Sequence, residues 1–230
     1  ADLIKSGRCD VVVAGGSECL TRYHLNGFNS LKILDSEPCR PFDATRNGLN
    51  LGEGAGFVVL ESEEHALNRG VAPIGALDGY GNACDAFHQT ASSDDGEGAF
   101  LAMSKALNMS GLKPGDIDYV NAHGTATPNN DASESRAMIR LFGDKIPPVS
   151  STKAFTGHTT SAAGSIEAVI CLLAIRHGFI PANLNWKEPF DGGVVPDSEG
   201  HQGVRLDHVL CNSFGFGGND SSLLISRYGK

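Results

Sequence analysis

His123 and His158 are the side chains of this 230-residue chain whose type and setting point most directly to chemistry. The first stands in Tyr119-Val-Asn-Ala-His123-Gly-Thr-Ala-Thr127-Pro, and the second closes Val149-Ser-Ser-Thr-Lys153-Ala-Phe-Thr-Gly-His158. Each follows a strand-like run and has a glycine beside it, so each imidazole is expected at a strand end, presented to a cleft by a rigid scaffold. Two imidazoles in one cleft can each donate a hydrogen bond to a single developing oxyanion. Decarboxylation to an enolate and attack on an acyl carbonyl both require this. A lone histidine at a strand end is more often a satisfied polar residue. The pair, together with Lys153 and the turn Phe214-Gly-Phe-Gly-Gly-Asn219, is what carries the reading.

The elements that must position these groups alternate between strand-like and helix-like patterns, which predicts an α/β layered fold. Asp10–Gly16 and 55–61 read as strands, the first as one buried on both faces, and a short helical stretch follows to Gly70. The pattern then restarts: strand 74–80, helix 98–109, strand 117–122, helix 131–142, short strand 149–152, helix 162–177 with an almost wholly apolar face, and strands 209–213 and 221–227. Val71-Ala-Pro73 marks a seam between two units, and no tandem repeat is present. Residues 1–7 read as the last turns of a helix ending at the C-cap glycine Gly7 with no helix start before it, and two strands before the seam are few for a buried sheet. Both features predict an amino-terminal truncation, and with it exposed apolar surface in the first unit.

Composition narrows the function. A 40% hydrophobic content suits one large or two small cored domains, and a net charge of -9 disfavours nucleic acid and anionic membrane surfaces. An acidic carrier protein would need a local basic patch. No apolar run reaches the roughly 20 residues that span a bilayer, so a cytoplasmic location is expected. The six cysteines form no Cys-x-x-Cys pair, which argues against a zinc site or a disulfide framework. Arg40, Asp43 and Arg46 are expected to form ion pairs and Phe214 to lie in the core, while Asp131 and Glu134 fit either acids or complements to a helix dipole.

Five motifs in order then carry a resemblance. Val-Ala-Gly-Gly-Ser-Glu18, Arg40-Pro-Phe-Asp-Ala-Thr-Arg-Asn-Gly48 with Gly52-Glu-Gly-Ala-Gly56, Asn121-Ala-His-Gly-Thr-Ala-Thr-Pro128, Thr152-Lys-Ala-Phe-Thr-Gly-His158 and Asn212-Ser-Phe-Gly-Phe-Gly-Gly218 resemble the β-ketoacyl-acyl-carrier-protein synthases, the discrete elongating condensing enzymes of type II fatty-acid synthesis. The resemblance implies a thiolase-like α-β-α-β-α fold of two related halves and a homodimer. Residues 1–72 would be the tail of the first half and 73–230 the complete second half.

It also implies a decarboxylative condensation with malonyl-acyl-carrier protein, needing no cofactor beyond the carrier's phosphopantetheine arm. His123 and His158 match the two catalytic histidines, Lys153 the lysine that keeps His158 neutral, and Glu167 the acid near that lysine. Thr125 and Thr127 match the hydroxyls that hold the phosphopantetheine, although in this sequence they fit a turn and helix cap equally well. Phe216 matches a gating aromatic whose backbone N–H completes an oxyanion hole. The family's nucleophilic cysteine lies upstream of the helix ending near Gly7, so none of the six cysteines is expected to be it; Cys84, near His88, is the best local imitation. Asn219-Asp220 replaces the common Thr-Asn, and Leu49 stands where an aromatic is common, which leaves chain length open. Two rivals remain: another thiolase-superfamily acyltransferase, and a non-catalytic chain-length-factor-like partner subunit.

Overall fold

The computed structural model describes residues 1–229. Its centre is a five-stranded mixed sheet of β3 (Gly75–Cys84), β9 (Asn219–Arg227), β8 (His208–Gly215), β4 (Tyr119–Asn121) and β5 (Val149–Ser150), in that order. The first three strands run antiparallel, whereas β8, β4 and β5 are parallel. Alternation along the strands decides which side chain meets which helix layer. Leu210 and Phe214 of β8, Val120 of β4 and Leu224 of β9 point into a core shared with α4 (Glu97–Ser110) and α5 (Pro128–Phe142). Val209, Cys211, Tyr119 and Ile225 point the other way, onto α7 (Ala163–His177). Phe214 is thus a core aromatic, as the sequence predicts.

Helix α7 lies between two sheets, and that explains its almost wholly apolar sequence. Its far side meets the antiparallel pair β1 (Val11–Glu18) and β2 (Gly54–Glu61). A Cβ on Gly56 would stand 2.8 Å from the Ile166 backbone nitrogen, so only glycine permits this approach. The layers therefore run α4/α5, five-stranded sheet, α7, β1/β2, in a thiolase-like α/β arrangement. The remaining elements are α1 (Asp2–Lys5), α2 (Arg22–Ser30), α3 (Glu63–Asn68), α6 (Lys153–Thr156) and a small antiparallel pair, β6 (Phe179–Ile180) with β7 (His201–Gln202).

The expectations differ from the structure at several points. β1 is not buried on both faces: Val11, Val13, Phe57 and Val59 form an apolar face that is 42–66% exposed, because nothing among the described residues packs on it. The predicted exposed apolar surface is this face. Helix α2 was not expected, and β4 and β5 are shorter than the strands expected at 117–122 and 149–152. Arg40 pairs with Asp35 at 2.8 Å rather than with Asp43, while Arg46 lies 3.8 Å from Asp131. The Asp43 carboxylate instead accepts hydrogen bonds from the backbone of Thr45, Lys187 and Glu188. No helix among the described residues is long and apolar enough to cross a membrane.

Candidate active site

The loops after β4 and β5 bring the two histidines together. The rings of His123 and His158 meet edge to face, with centroids 5.3 Å apart and planes at 83°. Phe214 closes one side, its ring centroid 5.7 Å from that of His123. His123 is 5% exposed. Burial, reinforced by Lys153 and His158, holds its pKa well below the ordinary histidine value, and burial with Lys153 and His24 pushes His158 down to about 3. Both rings are therefore neutral near pH 7, and each has one N–H to donate and one nitrogen to accept. The Nδ1 atoms of both are buried without a hydrogen-bond partner among the described residues. Burial is the larger cause of this neutrality, with the lysine charge second.

Lys153 opens α6, and its Nζ donates to Glu167 on α7, with both residues almost fully buried. Fourteen positions apart in sequence, the two are joined in the structure, and the charge of Lys153 is felt by both imidazoles. The second carboxylate oxygen of Glu167 is buried without a partner, and burial raises its pKa.

Three further carboxylates hold the loops that carry the rings. Glu134 on α5 accepts from the backbone N–H groups of His123 (2.9 Å) and Gly124 (2.8 Å) and from Asn212 Nδ2 (3.1 Å). It is a loop-holding residue more than a helix-dipole partner, and burial pushes it up to about 7. Asp131 accepts from the N–H groups of Phe42 (2.7 Å) and Ala126 (3.1 Å), the two residues held at φ of 62° and 66°. Left-handed backbone costs about 1–3 kcal/mol at a non-glycine residue, which such bonds can offset. Glu18, at the end of β1, accepts from Thr160 and Ser161 just beyond His158, and the Thr160 bond leads in holding its pKa down to about 2. None of these three holding roles was read from the sequence, since each acidic residue reaches a partner distant in sequence or a local backbone N–H.

Thr125 is buried and its hydroxyl lies 2.9 Å from that of Thr127. Thr127 occupies the N-cap position of α5 but makes no side-chain cap bond. The capping alternative therefore does not describe it. Phe216 is 50% exposed at the tip of the β8–β9 turn and stacks on Phe28 of α2, centroids 6.0 Å apart. That contact was missed because α2 itself was missed. Among the cysteines, Cys39, Cys171 and Cys211 are buried, and burial pushes the Cys39 thiol up to about 12 and Cys171 well above its usual value. Cys84 is exposed, and its thiol meets the Gly217 carbonyl rather than His88. No group of three metal-ligating side chains occurs among the described residues.

Comparison with known proteins points to one family along the chain. Residues 1–66 match the family model "Beta-ketoacyl synthase, N-terminal domain", and 74–187 match "Beta-ketoacyl synthase, C-terminal domain". A 3-oxoacyl-(acyl-carrier-protein) synthase 2 of Rhizobium meliloti is 44% identical over 98% of this chain and 56% of its own length. A mitochondrial 3-oxoacyl-(acyl-carrier-protein) synthase of Arabidopsis thaliana is 43% identical over 97% of this chain and 52% of its own. The solved structure of the ishigamide ketosynthase/chain length factor superimposes with a TM-score of 0.94 at 38% identity, covering 99% of this chain and 56% of that one. The chain spans about half the length of the curated relatives it matches.

Proposed function

Because this chain belongs to the β-ketoacyl synthase family, we propose that it supplies the decarboxylating half of a condensing site. That site would join an acyl thioester to malonyl-acyl-carrier protein and release a β-ketoacyl product. The observation that carries this reading is the pair of neutral imidazoles 5.3 Å apart. As the malonyl C–C bond breaks, its electron pair moves into the thioester enolate and carbon dioxide leaves. Charge develops on the enolate oxygen only in that step, so an N–H from each of His123 and His158 binds the transition state more strongly than the ground state. The enolate carbon then attacks the carbonyl of the waiting acyl thioester and displaces its thiol.

Lys153, fixed by Glu167, disfavours protonation of either ring and so preserves two hydrogen-bond donors of the right kind. Thr125 and Thr127 suit the amide-rich phosphopantetheine arm, and the exposed Phe216 on its glycine turn suits a gate with a backbone N–H for the acyl carbonyl. The acyl chain would be carried by a residue other than the six cysteines here. On this reading 1–72 and 73–230 are the tail of one thiolase-like half and the second half. The partner is an acyl carrier protein, the complete enzyme is a homodimer, and its location is cytoplasmic. A non-catalytic chain-length-factor-like role has no chemical use for a His/His/Lys/Glu cluster.

The test is carbon dioxide release from malonyl-acyl-carrier protein by the complete enzyme. Losing one preorganised donor costs about 3–4 kcal/mol, so His158→Ala should slow release by a few hundredfold. Undiminished release would remove His158 from the mechanism.

A further inference from the structure

The turn that joins His158 to α7 contains a residue in an unfavourable conformation. Thr160 has a φ of 32°. A β-branched residue there is a genuine outlier, and such strain persists only where neighbouring groups hold it. Those groups converge on one carboxylate from β1. Glu18 Oε2 accepts from the Thr160 hydroxyl, from Ser161 Oγ at 2.9 Å and from Ser161 N–H at 3.2 Å. Its other oxygen takes the Cys19 N–H at 3.1 Å and faces His24 Nδ1 at 3.3 Å. The Glu18 side chain is only 11% exposed. Threonine in a left-handed position makes sense if its hydroxyl is what the carboxylate grips.

The same region of the chain clamps His158 from its other side. The His158 N–H donates to the Asn50 carbonyl at 2.7 Å, and its carbonyl accepts from Gly52 N–H at 3.1 Å. A Cβ on Gly16, two residues before Glu18, would lie 2.2 Å from the Ser161 carbonyl oxygen, so β1 and the turn are in direct backbone contact. His158 is thus held at both ends of its loop, by the 50–52 bridge before and by Glu18 after.

We infer that Glu18 is a positioning residue for His158: by gripping Thr160 and Ser161 it holds the strained turn that fixes where the His158 ring meets that of His123. It touches no substrate and acts through the loop alone. This inference rests on the decarboxylation proposed above.

The experiment is a double-mutant cycle of Glu18 and Thr160 in the complete enzyme, reading carbon dioxide release at saturating malonyl-acyl-carrier protein and thermal melting. Glu18→Ala should lower the maximal rate by roughly 10- to 100-fold, the range set by freeing the strained residue, with KM little changed. Thr160→Gly adopts a positive φ without strain and should leave the rate near that of the parent. The decisive variant is Glu18→Ala/Thr160→Gly, which should recover at least about tenfold over Glu18→Ala, because the turn no longer needs holding. A lost contact without strain would not be rescued in this way. If Glu18→Ala does not fold, Glu18→Gln is read in the same cycle. A parental rate in Glu18→Ala, or no recovery in the double variant, overturns the inference. If the parent itself releases no carbon dioxide, the functional reading fails instead. The cycle is then read from melting, where Thr160→Gly must offset the Glu18→Ala loss for the inference to stand.

Discussion

Replacing Lys153 by methionine separates stability from chemistry. Lys153 and Glu167 are 1% and 2% exposed, and the pair lies in a core where Glu167 already has one oxygen without a partner. Removing the cation leaves a buried, uncompensated carboxylate, which costs about 3–5 kcal/mol. The loss depends on pH in a defined direction. Burial already raises the Glu167 pKa above its ordinary 4.5, and Lys153 is the group that opposes this rise. In Lys153→Met the native state therefore binds the Glu167 proton more tightly than the unfolded state does. Its stability falls as pH rises from 4.5 through the raised native value, and the destabilisation is fully developed only above that value. Denaturant unfolding of the complete enzyme at pH 5 and pH 8 measures this, with the larger deficit expected at pH 8. The companion variant Lys153→Met/Glu167→Leu replaces the ion pair by apolar groups and should regain most of the lost stability. Its decarboxylation should stay impaired at low pH, because the charge that helps keep His123 and His158 neutral is gone. Parental stability in the single variant, or no recovery in the double, would refute the assignment of this pair as a mutually dependent buried unit.

Other expectations follow from two further buried carboxylates, Glu134 and Asp220. Glu134→Ala strands three donors, those of His123, Gly124 and Asn212, and at about 1–3 kcal/mol each should cost about 3–9 kcal/mol, read as a large fall in the urea midpoint. A midpoint within experimental error of the parent would show that these donors find other partners. Asp220 is 3% exposed, and burial with nearby Asp85 raises it to about 7. Its native state therefore holds a proton that the unfolded state releases above 3.8, and stability declines between that pH and 7. Asp220→Asn should remove this decline, raising the melting temperature at pH 8 while changing little at pH 4; equal shifts at both would contradict the account.

The imidazole pair was legible because each ring sits beside a glycine after a strand-like run, a local signal of presentation at a strand end. Helix α7 was legible as a helix with an almost wholly apolar face, whereas its burial between two sheets was not, because the sheet on its far side comes from residues more than 100 positions earlier. What escaped the sequence depends on distant partners. Helix α2, Arg-Tyr-His-Leu-Asn-Gly-Phe-Asn-Ser, has weak intrinsic helix formers and a glycine, so its pattern is hidden until Phe28 is seen stacked on Phe216. Glu18 ends an apolar strand and looks solvated, yet its partners lie more than 140 residues away in Thr160 and Ser161. β1 shows the opposite case: its hydrophobic run records a need for cover on both faces, while the described residues cover only one.

Where the loop around His158 meets the earlier part of the chain, a Cβ on Gly52 would stand 2.0 Å from the Thr156 carbonyl, and Leu51 bridges to His158 as a strand would. The backbone at His123 is held by α5 and β8, with Gly48 donating to Ala126 further along its loop, whereas His158 is held by residues 18 and 50–52. A polypeptide starting at the seam would inherit both rings and the α5 and β8 contacts of His123, but none of these contacts to His158 and its turn. Chimeras made by crossing relatives at that seam should work only when the incoming amino-terminal segment brings a matching surface for residues 156–161.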